Sequence, residues 1–193
     1  MKLLKTLLEN VHFIFDYFID FIIPENKKLK NILRIERANL RTLLPSSPVR
    51  SESIFVLFEY KNEIVRLLVK SLKYKNNQSV KRLFADFLYE DILEFFSDIS
   101  LFYGSNPILI PMPMSKIEKQ KRGWNQCEEL CKEIEKVSEK SIKINTTALL
   151  KIKETARQTK LDKKERLLNV KNSMQADPSL VMGKVVAVLD DVY

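Results

Sequence analysis

The chain has 193 residues, 45% of them apolar and 30% charged, which is ordinary globular usage and long enough to bury a core; it argues against a disordered or membrane-embedded chain. Net charge is +8, and residues 115–171 hold 16 Lys and Arg against 9 Asp and Glu, so most of the surplus lies in one stretch. A basic half suits a polyanionic ligand, either a phosphorylated metabolite or nucleic acid, although a general Lys-rich habit explains the bulk charge equally well.

The opening stretch, Lys2 to Ile23, is rich in Leu, Phe and Ile and is closed by Pro24. Lys2, Lys5, Glu9, Asp16 and Asp20 interrupt it, so the pattern predicts an amphipathic helix rather than an integral membrane span, and no small-residue cleavage site follows. His12, the only histidine, falls on this helix, where packing is its default role. Residues 25–50 are polar and basic, and Pro45-Ser-Ser-Pro48 breaks the chain. This divides an N-terminal helical segment and linker, 1–50, from a domain spanning 51–193.

Ser53 to Tyr60 is β-rich and predicts a strand. Ile64, Val65, Leu67, Leu68 and Leu72 follow at helical spacing within Asn62–Leu72, and residues 73–77 form a turn. Val80, Leu83, Phe84, Phe87, Leu88, Ile92, Phe95 and Phe96 then trace the clearest 3.6-residue stripe, a helix of about five turns. After Gly104 to Pro107, Ile108–Pro111 reads as a short buried strand. Asn125–Val137 reads as a helix with Cys127, Leu130, Cys131, Ile134 and Val137 on one face. Residues 142–150 hold a strand and a short helix, Asp162–Val170 a further short helix, and Gly183 precedes a final strand. Strands alternating with helices predict an α/β fold with a parallel sheet.

Two cysteines one helical turn apart, with no secretory signal before them, fit a reducing cytoplasm. They lie on an apolar helical face without His or Cys partners, so packing is the expected role rather than metal binding.

Three polar clusters stand out. Pro111-Met-Pro-Met-Ser115 leaves a strand end and leads through a basic loop with Lys119, Lys121 and Arg122 to Gly123, Trp124, Asn125 and Gln126 at a helix start, a natural place for an anion. A plain basic surface loop with Gly123 in a turn is the alternative. Arg157-Gln158-Thr159, with Arg166 and Asn169, reads alone as solvated surface. The run Val185 to Leu189 predicts a buried parallel strand, and Asp190 and Asp191 sit at its carboxyl end, where open α/β sheets bind ligands. Beyond the strand both acids can turn to a ligand, as acceptors for sugar hydroxyls or as water-mediated partners of Mg²⁺. A solvated strand end is the competing interpretation.

In this order, Ile110-Pro-Met-Pro-Met, Arg122-Gly-Trp-Asn-Gln126, Arg157-Gln-Thr159, Arg166 with Asn169-Val170 and Val188-Leu-Asp-Asp-Val-Tyr193 resemble ComF-type phosphoribosyltransferases, associated with competence. Phe58-Glu-Tyr60 and Leu72-Lys-Tyr74 extend the resemblance upstream. It implies a type I phosphoribosyltransferase-like sheet flanked by helices, which binds 5-phosphoribosyl 1-pyrophosphate (PRPP) with Mg²⁺ and displaces pyrophosphate at ribose C1. By resemblance Asp190 and Asp191 hold the ribose hydroxyls. Pro111, Met112, Pro113, Met114 and Ser115 approach the pyrophosphate, Lys119, Lys121 and Arg122 offset its charge, and Tyr193 closes the motif. It also implies cytoplasmic partners in DNA uptake, namely single-stranded DNA and a helicase; a non-catalytic module binding either of them is the alternative. Trp124 fits packing under the loop and base stacking alike.

Two departures from the family pattern matter. A Thr-Thr-Gly-x-Thr-like phosphate loop is expected after the acidic strand, yet Tyr193 is the last residue, so a C-terminally incomplete domain with weakened phosphate affinity is expected, a fragment of a longer frame or, as the alternative, a degenerate relative. The Cys-x-x-Cys pairs of many relatives are missing after the opening helix, so no structural zinc is expected.

Overall fold

A computed structural model of the chain describes residues 27–47, 51, 54–104, 107–154 and 171–192. The expected helices at Lys2–Ile23 and Asp162–Val170, together with His12, Arg157, Gln158, Thr159, Arg166, Asn169 and Tyr193, lie outside those residues. The chain divides into two compact units, 1–43 and 44–193. In the first, the described residues form two short helices, α1 (Lys27–Leu33) and α2 (Arg37–Leu43).

The second unit is mixed α/β. Helix α3 (Glu63–Lys75) begins at Asn62, whose side chain accepts from the backbone N–H groups of Ile64 and Val65. It ends at Asn76 in the left-handed region, φ 46°, and the next residue, Asn77, caps α4 (Gln78–Tyr103) in turn. Two adjacent asparagines thus end one helix and start the next, the role their short amide side chains suit. Helix α4 runs for 26 residues, beyond the five turns expected, because nothing after Phe96 breaks it until Gly104 adopts φ 63°. Its apolar stripe holds to Phe96, while Leu101 is 85% exposed.

The expected strand at Ser53–Tyr60 does not form across the described residues there; Phe58 makes a single antiparallel bridge with Ser46. Phe58 is buried and its ring meets that of Phe87 on α4 edge-on at 5.5 Å, so side-chain packing joins isolated backbone bonds, such as Glu59 N–H to the Pro45 carbonyl at 3.1 Å, in holding this stretch. Aromatic β-propensity reflects fit to a half-buried surface, and here a helix provides it.

Strand β1 (Ile108–Pro111) lies at the centre of a three-stranded parallel sheet, between β2 (Lys143–Ile144) and β5 (Val186–Leu189). The link from β1 to β2 contains helix α5 (Lys116–Arg122) and helix α6 (Gln126–Val137), the crossover that parallel neighbours require. Helix α5 replaces the expected basic loop. Ser115 accepts from the Glu118 N–H at 3.2 Å, and Ser-x-x-Glu is a helix-start signature that the abundance of lysine obscures. Gly123, at φ 87°, ends α5 in a conformation disfavoured for a side chain with a Cβ.

Residues 142–150 contain β2 and the start of β3 (Leu149–Lys151) instead of a strand and a helix. Strand β3 pairs antiparallel with β4 (Met174–Ala176), and α7 (Pro178–Val181) follows. The final strand differs from expectation in one respect. It is parallel, but among the described strands it lies at the sheet edge and is only half-buried, with Val188 49% exposed. A run of β-branched residues is therefore no proof of cover on both faces. No helix among the described residues is long and apolar enough to cross a membrane.

Helix α6 packs against both α4 and the sheet. Cys127, Leu130, Cys131 and Ile134 are buried on it, as their spacing predicts. Along its border with α4 runs a polar seam: Gln78 Nε2 donates to Glu133 at 3.0 Å, Arg82 lies 3.7 Å from the same carboxylate, and Lys81 pairs with Glu129 at 3.5 Å. Ile134, fully buried, is the test of this packing. Ile134→Ala is expected to cost about 2–5 kcal/mol in urea unfolding; a loss under about 0.5 kcal/mol would mean that α6 does not pack as described.

Candidate functional site at the carboxyl edge of the sheet

Parallel pairing puts Pro111 beside Leu189, and the Met112 N–H donates to the Leu189 carbonyl at 2.8 Å. Everything that follows Pro111 and Leu189 therefore leaves the sheet at the same edge. From β1 comes the Pro111–Ser115 turn, with Pro111 and Ser115 buried and Met112, Pro113 and Met114 half-buried. From β5 come Asp190 and Asp191. The Asn125 side chain caps α6 through the Cys127 N–H and donates to the Met112 carbonyl at 2.9 Å, which fixes the turn to the helix start.

The two acids occupy different surroundings. The Asp191 side chain is 8% exposed; its Oδ2 lies 3.0 Å from Lys73 Nζ and accepts from Gln126 Nε2 at 3.1 Å. Gln126 in turn accepts from Arg122, whose guanidinium lies over the Tyr74 ring, 5.8 Å from its centroid. Asp190 is exposed. Its Oδ1 accepts from the Asp191 N–H at 2.8 Å and from the Cys127 thiol at 3.7 Å. Desolvation against the helix start, followed by the charge of Asp191, raises its pKa from the ordinary aspartate value, although the Asp191 N–H pulls it down.

Among the expected site residues, the structure gathers Asp190, Asp191, the Pro111–Ser115 turn and Arg122. Lys119 turns to Glu128 at 2.7 Å, and Lys121 is exposed on α5. Lys73, Tyr74 and Cys127 belong to the site too, although sequence reasoning took the first two as a turn and the third as packing. Their sequence signal is weak: Lys73 and Tyr74 end an amphipathic helix, and nothing local marks an ion pair with a residue so far along the chain.

Ligand atoms of Cys127, Asp190 and Asp191 lie within 4.8 Å of one another. Burial foremost, then the charges of Asp190 and Asp191, push the Cys127 thiol far up, which favours its protonated form. Burial pushes Cys131 up to about 12 as well. The arrangement offers one solvent-facing carboxylate, a second held by a cation and an amide, and two basic residues beside them. Comparison of the chain with protein-family models, with curated proteins and with solved structures finds no match.

Two outcomes follow from these environments. Both thiols should be inert to a disulfide reagent in the native protein and react once it unfolds; fast labelling at neutral pH would contradict their burial. For Asp190 the sign is that of an acid with a raised folded-state pKa: its contribution is fully present below the unfolded value, about 3.9, and is lost as pH rises through the folded value. Asp190→Asn should therefore raise the melting temperature at neutral pH, with the gain disappearing as pH falls toward 4. A gain independent of pH would show that Asp190 carries no such shift.

Proposed function

We propose that the chain is a ComF-like phosphoribosyltransferase homologue whose sheet edge binds PRPP with Mg²⁺, in a fold of the type I phosphoribosyltransferase kind. The single observation that supports this reading most is the meeting of the Asp190–Asp191 pair with the Pro111–Ser115 turn and Arg122 across paired parallel strands. The sequence resemblance links these same segments, and the strand pairing is independent of it.

In this reading the carboxylates accept from ribose hydroxyls, the turn approaches the diphosphate, and Arg122 offsets its charge, while Lys119, paired with Glu128, and the exposed Lys121 contribute only at longer range. Little covalent work falls to the protein, so rate enhancement would come from orientation and from charge placed where the leaving diphosphate develops it. The donor set fits a magnesium ion that arrives with the diphosphate. Such an ion takes oxygen ligands and keeps several waters, which Asp190 and Asp191 can hold. When bound, the ion neutralises diphosphate charge.

A second reading, a non-catalytic module for single-stranded DNA or a helicase in natural transformation, has one observation in its favour. Arg66, Lys70 and Tyr74 are exposed at i, i+4 and i+8 on α3, and Tyr74, 57% exposed, carries the Arg122 guanidinium. Cations around an open aromatic ring suit a single-stranded backbone with stacked bases.

Calorimetric titration separates the two. Mg²⁺·PRPP is expected to bind the wild-type chain, and Asp190→Asn to weaken that binding about tenfold or more, the scale of a lost hydrogen bond to a charged group. Absence of binding at millimolar PRPP, with steeply salt-dependent binding of a single-stranded oligonucleotide, would replace the first reading with the second.

A further inference from the structure

The two neighbouring acids differ more than adjacency suggests. Asp191 belongs to a closed ring of contacts: Lys73 Nζ and Gln126 Nε2 both meet its Oδ2, Gln126 accepts from Arg122, and Arg122 covers the ring of Tyr74, the residue after Lys73. The ring joins the end of α3, the end of β5, the end of α5 and the start of α6. Gln126 is 8% exposed, and the Lys73 and Asp191 side chains are 23% and 8% exposed, so the ring is shielded enough for its ion pair to act as more than a surface pair. The Asp191 side chain is almost covered and its charge is already matched by Lys73, so it presents little surface to a ligand. Asp190 has the opposite character. It is exposed; its Oδ1 accepts from the Cys127 thiol and the Asp191 N–H, its carboxyl also lies beside that of Asp191, and no cation among the described residues pairs with it.

We infer that the pair divides its labour: Asp191, held by Lys73, anchors the sheet edge to the basic helix α5, and Asp190 alone is presented to the hydroxyl groups of a ligand. Lys73 is then a positioning residue, acting through Asp191 and Gln126 on the placement of Arg122. This refines the phosphoribosyl reading and rests on it only for the identity of the ligand. Removing either end of the ion pair leaves the other partly buried without a counter-charge, so the two losses overlap. Removing Asp190 breaks no such ring.

The experiment is a double-mutant cycle with a binding readout. In urea, Lys73→Met and Asp191→Asn should each lower the unfolding midpoint, and the double variant should fall no further than the worse single one. Asp190→Asn should not lower it. In Mg²⁺·PRPP titration Asp190→Asn should show the largest loss, about tenfold or more. Lys73→Met should show a smaller loss that Lys73→Arg restores, since the guanidinium keeps the charge and the donors. The Gln126 side-chain amide resonances should move in Lys73→Met and return in Lys73→Arg, a signature that simple loss of stability does not give.

Additive losses in the cycle would overturn the anchor. So would tighter PRPP binding by Lys73→Met, which would make Lys73 a latch over Asp191, or an Asp191→Asn that loses binding as Asp190→Asn does with its midpoint unchanged. Absence of PRPP binding in the wild type would sink the phosphoribosyl reading and leave the anchor to be decided by the cycle and the Gln126 signal alone.

Discussion

Alignment of Ile108–Pro111 with Val186–Leu189 in a parallel ladder, continued by the Met112 N–H to the Leu189 carbonyl, is what every other feature of the site depends on. Parallel strands share a polarity, so their carboxyl ends emerge together, and the residues after each can face one another without any loop reaching across the sheet. A shift of one residue would send Val186 and Val188 to the opposite face and move Asp190 away from the α6 start. The residues at that edge are thus positioned by strand pairing set further down the sheet.

Much of this was legible in local pattern. The Ile108–Pro111 strand, the α6 helix with its buried Cys127 and Cys131, and the parallel final strand follow from periodicity and punctuation. What escaped had physical causes. Ser115 and Glu118 signal a helix, but the run of lysines around them looks like solvated loop. Phe55 to Phe58 look like a strand because aromatic side chains favour any packed, half-buried surface, and Phe58 finds its surface on a helix. The short β3–β4 pair has too few residues for its alternation to register.

Within the site the same division holds. Asp190, Asp191 and the turn are visible as types at a strand end, since the position itself gives them meaning. Lys73 meeting Asp191 is a tertiary fact, produced by the way α3 docks, and a single sequence contains no trace of it. The unequal exposure of two adjacent carboxylates is likewise invisible, because side chains next to each other in sequence diverge once the strand ends.

The polar seam between α4 and α6 gives the two sides of one helix opposite responses to ions. On one side, Lys81, Arg82, Glu129 and Glu133 hold α6 by charges that dissolved electrolyte weakens. On the other, Leu130, Cys131 and Ile134 hold it by exclusion from water, which sulfate-type salts strengthen. Helix α6 also carries Gln126 and Cys127 at the site. Ionic strength therefore acts on the placement of those residues through the body of the protein.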